Sequence, residues 1–94
     1  MFNGHIANFA LRRGVEIQVV EANEIDNEYN ELWFYAADND CEPEMMYIQN
    51  NDGTLSFKGK LNKSLEDLPA WIDSKDKLKK VICYLSDMLA AEAM

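Results

Sequence analysis

Between Gly14 and Phe57 the chain has no lysine and no arginine. A nucleic-acid ligand needs basic side chains against its phosphates, so this whole stretch offers one nothing. An anionic membrane surface is disfavoured for the same reason. Histidine occurs once, as His5, with no sequence feature to orient it as a general base. Cys41 and Cys83 are the only cysteines and stand in no metal-ligand spacing. Without an export signal they read as free thiols of a reducing compartment. The four glycines, Gly4, Gly14, Gly53 and Gly59, are dispersed, which excludes a glycine-rich phosphate loop. Ser64, Ser74 and Ser86 lie at helix caps or on a helix face, not in a nucleophile elbow. No run of about eighteen apolar residues is present, so no membrane-spanning helix is expected. Met1 to Gly14 has an apolar middle, but its two arginines follow that middle rather than precede it, unlike a signal peptide. These absences predict a cytoplasmic, non-enzymatic protein with no cofactor and no metal.

What the chain does have is acid. The stretch from Gly14 to Phe57 holds eleven of the seventeen acids and none of the nine bases, a charge of −11. The remainder, with nine bases and six acids, carries +3, and the whole carries −8. With 94 residues and a 48% hydrophobic share, residues 1–94 read as one small globular domain. Such a domain buries only about 60–65% of its unfolded surface.

Hydrophobic periodicity orders the elements. Asn3 caps a short helix over Gly4 to Arg13 with Ile6, Phe9 and Ala10 inward, Phe2 packing ahead of it, and Gly14 ending it. Val15 to Val20 alternates with β-branched residues and reads as a strand. Ala22 to Asn30 is a polar hairpin loop, and Glu31 to Ala37 is the second strand. Asp38 to Glu44 is a turn rich in Asn, Asp and Pro. Met45 to Gln49 is a third strand, joined through Asp52-Gly53 to a fourth at Thr54 to Lys58. Ser64 to Ile72 reads as a short helical turn distorted by Pro69. Asp73 or Ser74 then caps an amphipathic helix carrying Leu78, Val81, Ile82, Leu85, Met88 and Leu89 on one face. The expected fold is α+β: a four-stranded antiparallel meander packed by the C-terminal helix, with a short N-terminal helix and a helical turn before the last helix.

Strand alternation then proposes a surface. If Val15, Ile17, Leu32, Phe34, Leu55 and Phe57 face the helices, Glu16, Gln18, Glu31, Trp33 and Tyr35 share the outer face. Met45 and Tyr47, or else Met46 and Ile48, join them according to register, and Tyr47 is taken with the outer group. The candidate partner-binding residues are therefore Glu16, Gln18, Glu31, Trp33, Tyr35 and Tyr47 on the sheet, with Asp38, Asp40 and Glu42 in the following turn. Aromatics are enriched at binding hot spots, and carboxylates around them steer a basic partner. A plainer reading covers Trp33 and Tyr35 with the N-terminal helix and leaves the acids as solubilising loops. Asp38-Asn39-Asp40-Cys41-Glu42 has the oxygen content of a cation loop but lacks the glycine and terminal bidentate glutamate of an EF-hand.

In size, charge and expected architecture the chain resembles phage or mobile-element inhibitors of host defence, including anti-CRISPR and anti-nuclease proteins. It also resembles the immunity proteins that neutralise basic bacterial toxins. The resemblance implies a nucleic-acid mimic whose carboxylates occupy a basic groove of a nucleic-acid-processing complex, in the host cytoplasm if phage-encoded. It implies protein–protein interaction, with no direct contact to nucleic acid. The alternatives are a toxin-immunity protein and a small homodimeric assembly protein that buries its aromatic strand face.

Overall fold

Asn3 opens the first helix as expected: its side-chain oxygen accepts the Ile6 backbone N–H at 3.1 Å. The computed structural model describes residues 2–23, 28–39 and 41–92. Among these, helix α1 (Gly4–Leu11) leads into strands β1 (Val15–Val20), β2 (Glu31–Ala36), β3 (Met45–Gln49), β4 (Leu55–Lys60) and β5 (Trp71–Ile72), and helix α2 (Lys75–Glu92) ends the fold. Gly14, at φ 78°, makes the left-handed turn from α1 into β1. Ser74 caps α2 by accepting the Lys77 N–H at 3.2 Å. The fold is α+β, with an antiparallel sheet in the order β1-β2-β3-β4-β5.

The sheet has five strands rather than the expected four. The fifth replaces the helical turn expected over Ser64 to Ile72. Pro69 lacks the donor a helix needs and disfavours helical backbone at Leu68. Asp67 takes a left-handed φ of 58°, which also ends any helical turn. The segment instead runs back along β4: the Phe57 N–H donates to the Ala70 carbonyl at 2.8 Å, and Leu55 and Ser56 pair with Ile72 and Trp71. Two side chains fasten it. Leu65 is fully buried, and the Tyr84 hydroxyl accepts the Glu66 N–H while donating to the Glu66 carbonyl.

One cluster forms the core. Ile6 and Ala10 of α1 and Leu78, Val81, Ile82 and Leu85 of α2 meet Val15, Ile17, Leu32, Phe34, Met45, Tyr47, Leu55 and Ile72. All these strand residues point to the same side of the sheet, so both helices cover that side and neither covers the other. Tyr47, expected among the outer candidates, is at the centre of the core. It is fully buried, sits edge-on between Phe34 and Phe57, and donates its hydroxyl to the Pro69 carbonyl at 2.8 Å. Register decides this: Tyr47 pairs with the inward Leu32 and Phe57, which turns Met46 and Ile48 outward.

The turns divide the molecule into two ends. The β1–β2 and β3–β4 turns and the starts of both helices lie at one end. In the β3–β4 turn, the Thr54 hydroxyl and backbone N–H donate to Asp52 and hold its carboxyl below the usual range. The other end gathers the α1–β1 turn, the β2–β3 turn and the finish of α2, tied by Ser86 Oγ donating to the Arg13 carbonyl at 2.7 Å.

Burial pushes the Tyr47 phenol well above its ordinary pKa of 10.0. The unfolded chain therefore releases this proton more readily than the folded one. Stability from Tyr47 is complete below that ordinary value and is lost as pH rises above it. Tyr47→Phe keeps the ring but orphans the Pro69 carbonyl, so urea unfolding at neutral pH should show a loss of about 1 kcal/mol. Above pH ~10 the variant's stability should fall less steeply than the wild type's. Parallel alkaline profiles for the two proteins would refute this role.

Candidate protein-binding surface

The face away from the helices is built from Glu16, Gln18 and Val20 of β1, Glu31, Trp33 and Tyr35 of β2, Met46 and Ile48 of β3, and Ser56 and Lys58 of β4. Register sets them in rows: Glu16 beside Tyr35, Gln18 beside Trp33 and Met46, and Val20 beside Glu31 and Ile48. The face is helix-free as one reading required, because α1 packs on the opposite side and leaves Trp33 and Tyr35 uncovered by it. Trp33 is half-buried, while Tyr35 is only 6% exposed, set into the face rather than projecting from it.

Glu31 corrects the expectation most sharply. It was expected as an exposed acid beside the aromatics, but it is 1% exposed. Lys58 Nζ donates to both its carboxylate oxygens at 2.8 and 2.7 Å, and Trp33 Nε1 donates to Oε1 at 2.9 Å. Lys58 lies at a β-bulge: Met46 pairs with Gly59 and Tyr47 with Phe57, so Lys58 is the extra residue on β4. The pair neutralises the middle of the face and fixes the Trp33 ring. Glu16 is half-buried and accepts from Gln18 Nε2 at 3.1 Å, whereas Gln18 itself is exposed. The outer face is thus aromatic and close to neutral, not acidic.

The acids of the long base-free stretch go to the turns. Asp38 and Glu42 are exposed and Glu44 is half-buried, all at the end where α2 finishes. Glu21, Glu28 and Asp52 are exposed at the other end. Asp40, with Glu24 and Asp26, lies outside the described residues. Glu16 is the sheet candidate nearest the Asp38 end, since it pairs with Tyr35, while Gln18 pairs with Trp33 at mid-strand. Tyr47 is not on this face.

Sequence reading missed Glu44 as a positioned acid. Its backbone is fixed on both sides: its N–H donates to the Phe34 carbonyl at 2.7 Å, and its carbonyl accepts from Leu61 and Asn62. It also missed Trp71, 49% exposed on the short fifth strand, with Lys77 Nζ 5.9 Å from the ring centroid. The alternation of Ser56 and Lys58 marked Lys58 as outward. Its pairing with a residue 27 positions earlier required the strand order.

Cys41 and Cys83 are both free thiols. Among the described residues no group of three His, Cys, Asp or Glu side chains converges as a metal site, and no helix is long and apolar enough to cross a membrane. Comparison with protein-family models, curated proteins and solved structures finds no match to this chain.

Removing Lys58 leaves a buried carboxylate without its ammonium. Because the Lys58 side chain is 38% exposed, Lys58→Met should cost about 2–3 kcal/mol, below the range for fully buried pairs. Adding Glu31→Gln to that variant should recover part of the loss, as a double-mutant cycle by urea denaturation would show. Strictly additive single losses would mean that the pair has no coupling.

Proposed function

We propose that this chain is a non-enzymatic acidic binding protein that inhibits a larger protein by occupying its basic, nucleic-acid-binding surface. Phage and mobile-element anti-defence proteins, such as anti-CRISPR and anti-nuclease inhibitors, act in this way. One observation carries the reading. On the turn between β2 and β3, Asp38, Glu42 and Glu44 form no ion pair among the described residues, and they adjoin an outer sheet face left open by both helices. Carboxylates there stand where a nucleic acid would place phosphates, and they complement the lysines and arginines that line such grooves. Trp33, paired with Gln18 and Met46 at the middle of that face, would supply the short-range contact. A toxin-immunity protein would perform the same physical act on a different basic target, and the identity of the captured protein separates the two.

A homodimer is favoured by a different observation. Trp33, Met46 and Ile48 lie on the helix-free face and Trp71 is half-exposed beside them, which is the composition of an interface core. Sedimentation over a wide concentration range tests this reading. A dimer dissociated by Trp33→Ala would favour it over the inhibitor reading, and a monomer throughout would reject it.

The inhibitor reading is tested by capture from bacterial lysate at moderate salt, with wild type and Asp38→Lys/Glu42→Lys as baits. The retained protein should bind duplex DNA or RNA and lose that binding to the wild-type chain. The double variant should associate about tenfold more slowly at low salt, with the difference shrinking as salt rises. Its urea midpoint should be unchanged, since exposed acids mainly steer. A retained protein that binds nucleic acid and this chain simultaneously would reject the proposal.

A further inference from the structure

The sheet ends in two unlike edges. At one, β5 is two residues long, follows closely on Pro69 and carries Lys77 over its Trp71 ring. Short strands, proline and lysine are devices that keep an edge from pairing with another chain. The other edge, β1, has none of them. Its six residues pair with β2 without a register shift and include no proline, glycine or lysine. Its inward side chains, Val15, Ile17 and Val19, carry no charge.

Register assigns the free backbone groups of this edge. The Ala37 N–H donates to the Gly14 carbonyl at 2.9 Å. Bonding alternates along an antiparallel strand, so Glu16, Gln18 and Val20 bond to β2 while Val15, Ile17 and Val19 turn their N–H and C=O groups outward. Among the described residues no backbone hydrogen bond reaches the outward groups of Ile17 and Val19. Val15 is fully buried, whereas Ile17 keeps 9% exposure and Val19 43%, so the accessible edge centres on Gln18. The residues that flank β1 differ in sign: Arg12 and Arg13 precede it, and Glu21 follows it. Arg12 and Glu21 are exposed and form no ion pair among the described residues.

We propose that β1 pairs antiparallel with β1 of a second copy, about a two-fold axis at Gln18, and joins two five-stranded sheets into one. In this register Ile17 exchanges both backbone bonds with the partner's Val19, and the reverse holds by symmetry. Gln18 meets the partner's Gln18 on the outer face, and an amide both donates to and accepts from its own kind. Glu16 falls opposite the partner's Val20, so no two carboxylates face each other. The antiparallel sense brings Arg12 and Arg13 of each copy to the far end of the other's β1, where the partner's Glu21 stands. A second copy is the occupant the edge specifies, because its main chain, its central amide and its flanking charges complement themselves. The contact leaves the Trp33 face and the Asp38 turn free. It is therefore independent of the inhibitor reading and distinct from a dimer through the Trp33 face.

Sedimentation of the full chain should show the mass rising from 10.8 kDa toward twice that value, with a dissociation constant on the order of 10 μM for so small a contact. Trp33→Ala should leave this association unchanged, and Val19→Lys should abolish it. Arg12→Glu should weaken it about fivefold, and Arg12→Glu/Glu21→Arg should recover the loss. Amide exchange at Ile17 and Val19 should slow as concentration rises, while that at Gln18, already bonded to β2, should change little. Should Val19→Lys fail to fold, cross-linking decides. With Cys41→Ser and Cys83→Ser removing the native thiols, Gln18→Cys should form an intermolecular disulfide on mild oxidation, because facing residues of a non-bonded pair stand about 4.5 Å apart at Cα. Glu16→Cys should form little, since the axis sets the two Glu16 positions roughly 14 Å apart. A monomer at every concentration, association lost in Trp33→Ala but kept in Val19→Lys, or equal cross-linking at the two positions would each overturn the proposal. Capture of a nucleic-acid-binding protein requires no dimer, so the inhibitor reading stands or falls separately.

Discussion

The Glu31–Lys58 pair is the constraint on which the outer side of this protein depends. Two helices cover one side of the sheet, and among the described residues no third covers the other. A β-sheet face left open to water must tolerate it without becoming a sticky plane. Here a carboxylate with almost no exposure sits in the middle of that face, held by an ammonium across two strands and by the Trp33 indole. The pair keeps Trp33 in one orientation and leaves the middle of the face without net charge. Its cost is desolvation of Glu31, which the half-exposed Lys58 side chain offsets only through this one geometry. Lys58 stands at the bulge between Met46 and Tyr47, as the extra residue on β4.

Once the face is neutral, the surplus negative charge has to go to the turns, and it does so unevenly. At the end where both helices begin, the partial positive charge of two helix N-termini favours Asp73, Asp76 and the neighbouring acids. At the opposite end the helix termini have the other sign. Arg12 and Arg13 follow directly on the end of α1, whereas α2 has no basic residue in its last turn. Acids at that end therefore meet a helix terminus of their own sign.

Much of the fold was legible because periodicity and local chemistry agreed. Asn3, Gly14, Asp52-Gly53 and Ser74 punctuate the chain where the structure turns, and the bounds of β1 and β3 match the expected ones. The helical turn over Ser64 to Ile72 misled because a cap residue and early acids imitate a helix start. The deciding contacts, Phe57 to Ala70 and Tyr47 to Pro69, join residues far apart in sequence. The surface was less legible for the same reason. Alternation put Glu16, Gln18, Glu31, Trp33 and Tyr35 on one face, as the register has them, but alternation cannot report depth. Alternation alone reads Glu31 as displayed because its partner lies 27 residues away, and reads Tyr47 as outer because a third strand can be entered in either register.

The separation of a neutral aromatic face from acidic ends bears on how a basic partner would be held. Exposed carboxylates at the turns act over roughly a Debye length, about 8 Å at physiological salt, and change mainly the rate of encounter. Residence depends on short-range contacts that exclude water. In this chain the residues suited to those contacts are Trp33, Met46 and Ile48, in the middle of the outer sheet face. Under the proposed function the two tasks are therefore divided between neighbouring structures rather than shared by one acidic patch. Salt should accordingly weaken capture chiefly by slowing association, while dissociation should respond to Trp33. A uniformly acidic surface would make both rates fall under the control of charge, and the internal neutralisation of Glu31 argues against that arrangement.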